Sequence, residues 1–174
     1  MILIRNFNLL VSTSIYNERN ASAELWFTLL MCGDAYPIIL NTQYPGLINV
    51  LTNLNAKNVI SQIKTILEEN PRFYNFILKI LPIDYTCETD TKIISSVIQQ
   101  HYQEFINDGD SFKITLKRRQ NENIERNNFI EIVSKHIENN VNLENPDKVI
   151  RIEVLGNICG ISFLNKDEII TKKN

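Results

Sequence analysis

The sequence predicts an α+β fold made of two successive α/β units. Three observations carry that expectation. Short β-branched runs alternate with helical apolar stripes along the chain, and turn residues punctuate them. The first half orders these segments as strand, helix, strand, strand, helix, strand. The chain has 174 residues, 44% of them hydrophobic and 22% charged. That is enough material for one larger domain or two small ones, with a normal core.

Phe7 to Ser14 reads as the first strand, nearly continuous in apolar character and so suited to a buried position. Asn17-Glu18-Arg19-Asn20 opens a helix whose stripe runs from Ala21 to Cys32, with Gly33 as its stop. Trp26 is expected in the core. Tyr36 to Thr42 is a second strand, Pro45-Gly46 a turn, and Leu47 to Leu51 a third strand. Asn55 is an N-cap candidate for a helix to Glu69, where Val59, Ile60, Ile63, Ile66 and Leu67 form the stripe. Asn70-Pro71 ends it, and Phe76 to Ile83 is a fourth strand. This βαββαβ order is that of a ferredoxin-like domain, expected over residues 1–84. The fold hosts many functions and names none.

Asp84 to Asp90 reads as a short polar junction. Its acidic residues lack an EF-hand pattern and suit helix capping ahead of Thr91 better than metal binding. A helix is expected from Thr91 to Asn107, stopped by Asp108-Gly109-Asp110. Phe112, Ile114 and Leu116 then alternate with Lys113, Thr115 and Lys117 in a strand that runs into Arg118 and Arg119. A helix from Glu125 to about Asn139 follows. Asn145-Pro146-Asp147 is a turn, and Val149–Leu155 and Ile158–Leu164 flank Gly156-Asn157, a tight-hairpin pair. The charged tail, Asn165 to Asn174, is expected to fray. The second domain is expected over residues 85–174.

Net charge is −2, so bulk electrostatics names no polyanionic partner. A nucleic-acid site would have to be a local patch. The three cysteines (Cys32, Cys87, Cys159) are scattered and there are two histidines, which argues against a disulfide framework or structural zinc. His101 and His136 lie in helical segments without a nucleophile setting beside them, and the five glycines form no nucleotide cradle. No metal site, cofactor or catalytic residue is expected. No apolar run spans a bilayer and no signal layout opens the chain, so a cytoplasmic protein is expected.

The one constellation with chemical promise is basic. Period-two geometry puts Lys113, Lys117 and Arg119 on one side of their strand, with Arg118 between them. Lys148 and Arg151 follow in a later β segment, and Arg151 joins the same face if the two strands are neighbours. Arginine binds phosphate as a planar fork and lysine as a point charge. The competing reading is an ordinary solvated strand edge, where lysine also discourages aggregation. Tyr85 and Tyr102 are the aromatic candidates for base stacking.

Three segments, Phe112 to Arg119 (FKITLKRR), Asn145 to Val154 (NPDKVIRIEV) and Gly160 to Phe163 (GISF), come in the order shown by THUMP domains, and the stretch resembles that RNA-binding module of tRNA-modifying proteins. FNLLVSTS, TQYPGLINVLT and ILKILPID resemble the ferredoxin-like domain that precedes it. As a whole the chain resembles archaeal relatives of the eukaryotic THUMP protein that supports tRNA cytidine acetylation. The resemblance implies a non-catalytic, tRNA-binding adaptor that presents tRNA to a separate acetyltransferase for N4-acetylcytidine formation. It also favours RNA contact by Lys113, Lys117, Arg118, Arg119, Lys148 and Arg151. The rival is a protein–protein or oligomerisation module, such as a homodimer, without RNA binding. A small-molecule enzyme is a third option.

Overall fold

A computed structural model describes residues 6–121 and 124–172. Its elements are β1 (Leu9–Thr13), α1 (Glu18–Cys32), β2 (Ile38–Asn41), β3 (Leu47–Leu51), α2 (Ala56–Glu69), β4 (Ile77–Pro82), β5 (Tyr85–Glu88), α3 (Thr91–His101), β6 (Phe112–Arg119), α4 (Arg126–Ser134), β7 (Lys148–Leu155), β8 (Ile158–Leu164) and β9 (Ile170–Thr171). The chain divides into two compact units. One runs to Ile83 and takes in the segment from Asp167 onward, and the other is Asp84–Lys166. The fold is the expected α+β one.

The first unit is an antiparallel sheet in the order β2-β3-β1-β4-β9. Leu9 and Val11 of β1, Ile48 and Val50 of β3 and Ile77 and Ile80 of β4 meet the helical stripes of α1 and α2 in one core. Asn55 caps α2 by accepting from the Asn58 N–H at 3.1 Å. Gly33 ends α1 in the left-handed region, where lack of a Cβ removes the steric penalty. Glu24 pins the start of β4: its carboxylate accepts from the backbone N–H groups of Asn75, Phe76 and Ile77 at 2.7–3.2 Å. Trp26 is not core. It is 50% exposed, because α1 is apolar on both sides and buries the Ala21, Leu25, Leu29 side instead.

The second unit is a sheet in the order β5-β8-β7-β6, parallel only between β6 and β7. Ile94 and Ile98 of α3 and Phe129 and Val133 of α4 pack on Ile114, Leu116, Ile150, Ile152, Val154 and Ile161. Asp90 caps α3, accepting from Lys92 N–H at 2.8 Å and Ile93 N–H at 3.0 Å.

Three expectations are corrected. The polar stretch after Ile83 is not all junction, since Tyr85–Glu88 forms edge strand β5 against β8. Tyr85 and Cys87 turn to the core, which is enough for an edge. Both helices of this unit end early: α3 passes into a 3-10 turn at Tyr102–Glu104, and α4 stops at Ser134 although Ile106 and Ile137 remain buried beyond them. The tail does not simply fray, because Ile170 and Thr171 pair with Ile80 and Lys79.

Candidate functional site

β6 places the basic residues. Phe112, Ile114 and Leu116 are buried in the core, so their neighbours Lys113, Thr115, Lys117 and Arg119 share the opposite face. The parallel register sets Thr115 beside Arg151 and Lys117 beside Glu153 of β7. Ile150, Ile152 and Val154 take the core side of β7, leaving Arg151 and Glu153 on the face with the lysines. Four of the six candidate residues, Lys113, Lys117, Arg119 and Arg151, are thus brought to one face.

Arg118 and Lys148 are placed differently. Arg118 has the parity of Leu116, but it lies at the strand end, where its side chain is exposed and donates to the Ile124 carbonyl. Lys148 starts β7 opposite Phe112, while Arg119 ends β6 opposite Leu155. Seven residues of strand separate the two positions, roughly 23 Å at ~3.3 Å per residue. Lys148 Nζ donates to Asn165 Oδ1 at 2.6 Å.

The face also holds a carboxylate. Glu153 is 3% exposed, and it accepts from Arg151 Nε at 2.7 Å and from an Arg119 terminal nitrogen at 3.3 Å. The Arg151 side chain is 13% exposed and that of Arg119 35%. Arg151 Nη2 and Thr115 Oγ1 are buried without a hydrogen-bond partner. Lys117 is exposed at the strand end. The tip of the β7–β8 hairpin fixes that end: Gly156 N–H donates to the Arg119 carbonyl at 3.0 Å, and Asn121 Nδ2 donates to the Gly156 carbonyl at 3.2 Å. The Arg-x-Glu spacing of Arg151 and Glu153 was the sequence signal for this ion pair, since i and i+2 share a strand face.

The aromatic candidates are occupied. Tyr102 is 5% exposed. Tyr85 stacks on His101 at 4.2 Å, and both it and Phe105 lie against Phe163. Glu104 accepts from His101 Nδ1 at 2.7 Å, which holds its carboxyl below the usual range. Burial, then the Glu104 charge, pushes the Tyr85 phenol up. His136 is exposed beyond the end of α4. Among the described residues no group of three or more acidic, histidine or cysteine side chains could hold a metal ion, and no helix is long and apolar enough to cross a membrane.

Residues 88–164, which contain every one of these basic positions, match the THUMP domain family. The segment is a THUMP domain. A THUMP domain-containing protein 1 homolog from Drosophila melanogaster is 30% identical over 116 residues, covering 63% of this chain and 35% of its own length. The chain therefore spans about a third of that relative. Among solved structures, PH1313 from Pyrococcus horikoshii superposes with a TM-score of 0.68 at 18% identity, over 95% of this chain and 55% of that one. TrmN from Thermus thermophilus gives 0.59 at 10% identity, over 91% and 46%. A 4-thiouridine synthetase in complex with RNA and ATP gives 0.55 at 14%, over 95% and 42%. These three share the fold across both units and are about twice as long.

Proposed function

We propose that this chain is a tRNA-binding adaptor that presents tRNA to a separately encoded modifying enzyme, with N4-acetylcytidine as the product of that enzyme. The observation that carries the reading is the exposed basic end of β6, Lys117 and Arg118 with the outer part of Arg119, inside the THUMP domain. Its support is twofold. A 4-thiouridine synthetase that shares this fold is found in complex with RNA. The carboxylate on the basic face is neutralised, so the face keeps a positive surplus. On this reading the RNA contact belongs to the second unit, Asp84–Lys166, and the protein acts in the cytoplasm.

Phosphate contacts by a few cations give modest, salt-sensitive binding without sequence readout. Purified protein should bind bulk tRNA with an affinity that falls linearly on a log–log salt plot. Lys117→Ala should lower that slope by about 1 and weaken binding alike for all tRNAs. The Lys117/Arg118/Arg119→Ala triple variant should lose binding. A wild type that holds tRNA no better than other RNA at moderate salt, or a triple variant that binds as the wild type does, would sink the reading.

One observation favours the rival reading. On α1, Trp26, Phe27 and Met31 are all about half exposed on the side away from the core. Exposed aromatic area of this kind marks protein contact. A homodimer or a protein partner on α1 is compatible with RNA binding at β6. It replaces the adaptor reading only if binding of tRNA fails.

A further inference from the structure

Glu153 is the one fully buried charged group on the basic face, and a buried carboxylate is costly unless paired and hydrogen-bonded. It meets that demand with two guanidiniums, one on its own strand and one on the neighbouring strand. The two contacts differ in kind. Arg151 is itself nearly buried and bonds through Nε at 2.7 Å, so its charge is committed to the carboxylate. Arg119 is tethered at one terminal nitrogen, 3.3 Å from Glu153 Oε2, and its side chain is 35% exposed. A guanidinium carries five donors in a rigid fork, so a single tether leaves the rest of the fork facing outward. The Arg119 backbone is fixed as well, through its carbonyl and Gly156 N–H.

We propose that Glu153 is a positioning residue for RNA binding: it anchors the inner edge of the Arg119 guanidinium so that the outer edge is presented, already ordered, to a phosphate. This deepens the tRNA reading and rests on it. The cost of ordering a long side chain is then met in the free protein rather than on binding, which is the general advantage of preorganisation. Lys117 supplies point charge beside the fork, and Arg151 holds the carboxylate in place from the far side.

The proposal has a consequence that charge alone does not. Removing a negative charge from a basic face strengthens phosphate binding if the face acts only as a field. If Glu153 orients Arg119, Glu153→Gln weakens binding instead. Wild type, Glu153→Gln, Arg119→Ala and the double variant are titrated with bulk tRNA across a salt series, with folding checked by thermal unfolding. Glu153→Gln should lose several-fold in affinity with the salt slope unchanged, since the cation remains. Arg119→Ala should lose affinity and lower the slope by about 1. In the Arg119→Ala background, Glu153→Gln should add no further loss. Arg119→Lys leaves the Arg151–Glu153 pair intact, and it should mimic Glu153→Gln, so the test survives if the glutamine variant does not fold.

Unchanged or tighter binding by Glu153→Gln, or the same fold loss with and without Arg119, overturns the proposal. Nitrogen-15 relaxation of the Arg119 guanidinium in the free protein gives an arm independent of RNA. The side chain should be ordered in the wild type and mobile in Glu153→Gln, and equal mobility in the two overturns the tether whether or not tRNA binds. A wild type with an ordered Arg119 that fails to bind tRNA overturns the RNA reading, and with it the role assigned to the tether.

Discussion

Gly46 shows how far one residue can be committed by its surroundings. Its φ is +75°, in the left-handed region, and a Cβ built there would lie 2.7 Å from the Thr13 carbonyl oxygen. The close approach exists because Gly46 accepts from Thr13 N–H at 2.9 Å and donates to Glu18 Oε1 at 2.6 Å, tying the turn before β3 to the end of β1 and the start of α1. The Gly46 N–H, more than any other group, holds the Glu18 carboxyl below its usual range. Gly46→Ala should therefore cost about 1–3 kcal/mol, the range for a side chain forced into a strained backbone region. Urea midpoints measure it. A loss under about 0.5 kcal/mol, ordinary for a surface substitution, would show that the turn relaxes without cost. The sequence announced a turn at Pro45-Gly46 but not the contact with Thr13, which depends on β3 pairing with β1 across the intervening α1 and β2. Trp26 illustrates the same limit, since a helix apolar on both sides does not reveal which side the sheet will cover.

At the scale of elements, the parallel pair β6–β7 needs a fixed start, and Ser111 with Asp147 provides it. The Ser111 N–H and hydroxyl donate to Asp147 Oδ2 at 2.8 and 2.7 Å, while the N–H groups of Asp147 and Lys148 donate to the Ser111 carbonyl at 3.0 Å. The Ser111 N–H is the largest cause, ahead of its hydroxyl, of an Asp147 carboxyl held below the ordinary value of 3.8. A depressed carboxyl contributes stability that is present above its unfolded pKa and lost as pH falls through the folded one. Wild-type stability should then fall with acid from about pH 4 downward, and more steeply than in Asp147→Asn, whose amide oxygen still accepts but does not titrate. Denaturant midpoints from pH 6 to pH 2 test this, and parallel curves for the two proteins would remove Asp147 from the acid response. β6 was legible because Phe112, Ile114 and Leu116 alternate with polar residues, and β7 and β8 because two β-rich runs flank Gly156-Asn157. β5 was not, because an edge strand with only Tyr85 and Cys87 facing the core has the composition of a loop. The ends of α3 and α4 were overrun because Ile106 and Ile137 keep the helical spacing after the helical hydrogen bonds have stopped.

For the molecule as a whole, the order of strands in the first unit depends on residues from both ends of the described chain. β9 adds to β4 by pairing Ile170 with Ile80 and Thr171 with Lys79, and Lys172 N–H donates to the Leu78 carbonyl at 2.8 Å. Ile170 joins the core formed by α2 and β4, and Lys57 of α2 pairs with Glu168 at 3.4 Å. Nothing local marks this tail as a strand, since two apolar residues among charges carry no period; only the open edge of β4 makes it one. The basic face shows the same division. The grouping of Lys113, Lys117 and Arg119 followed from one strand's alternation, whereas the capture of Arg119 by Glu153 required knowing that β6 and β7 are parallel neighbours. If β9 is part of the first core, Ile170→Ala should cost about 2–5 kcal/mol, the range for truncating a buried isoleucine. Hydrogen exchange locates the effect. Amides of β4 and β1 should lose protection in the variant, while β7 and β8, whose core is built from other residues, keep theirs. Equal loss in β7, or none in β4, would mean that Ile170 does not stabilise the first sheet. The expected pattern would make the segment after Lys166 a structural return of the chain to its first sheet, required for a stable first unit whichever RNA or protein the second unit engages.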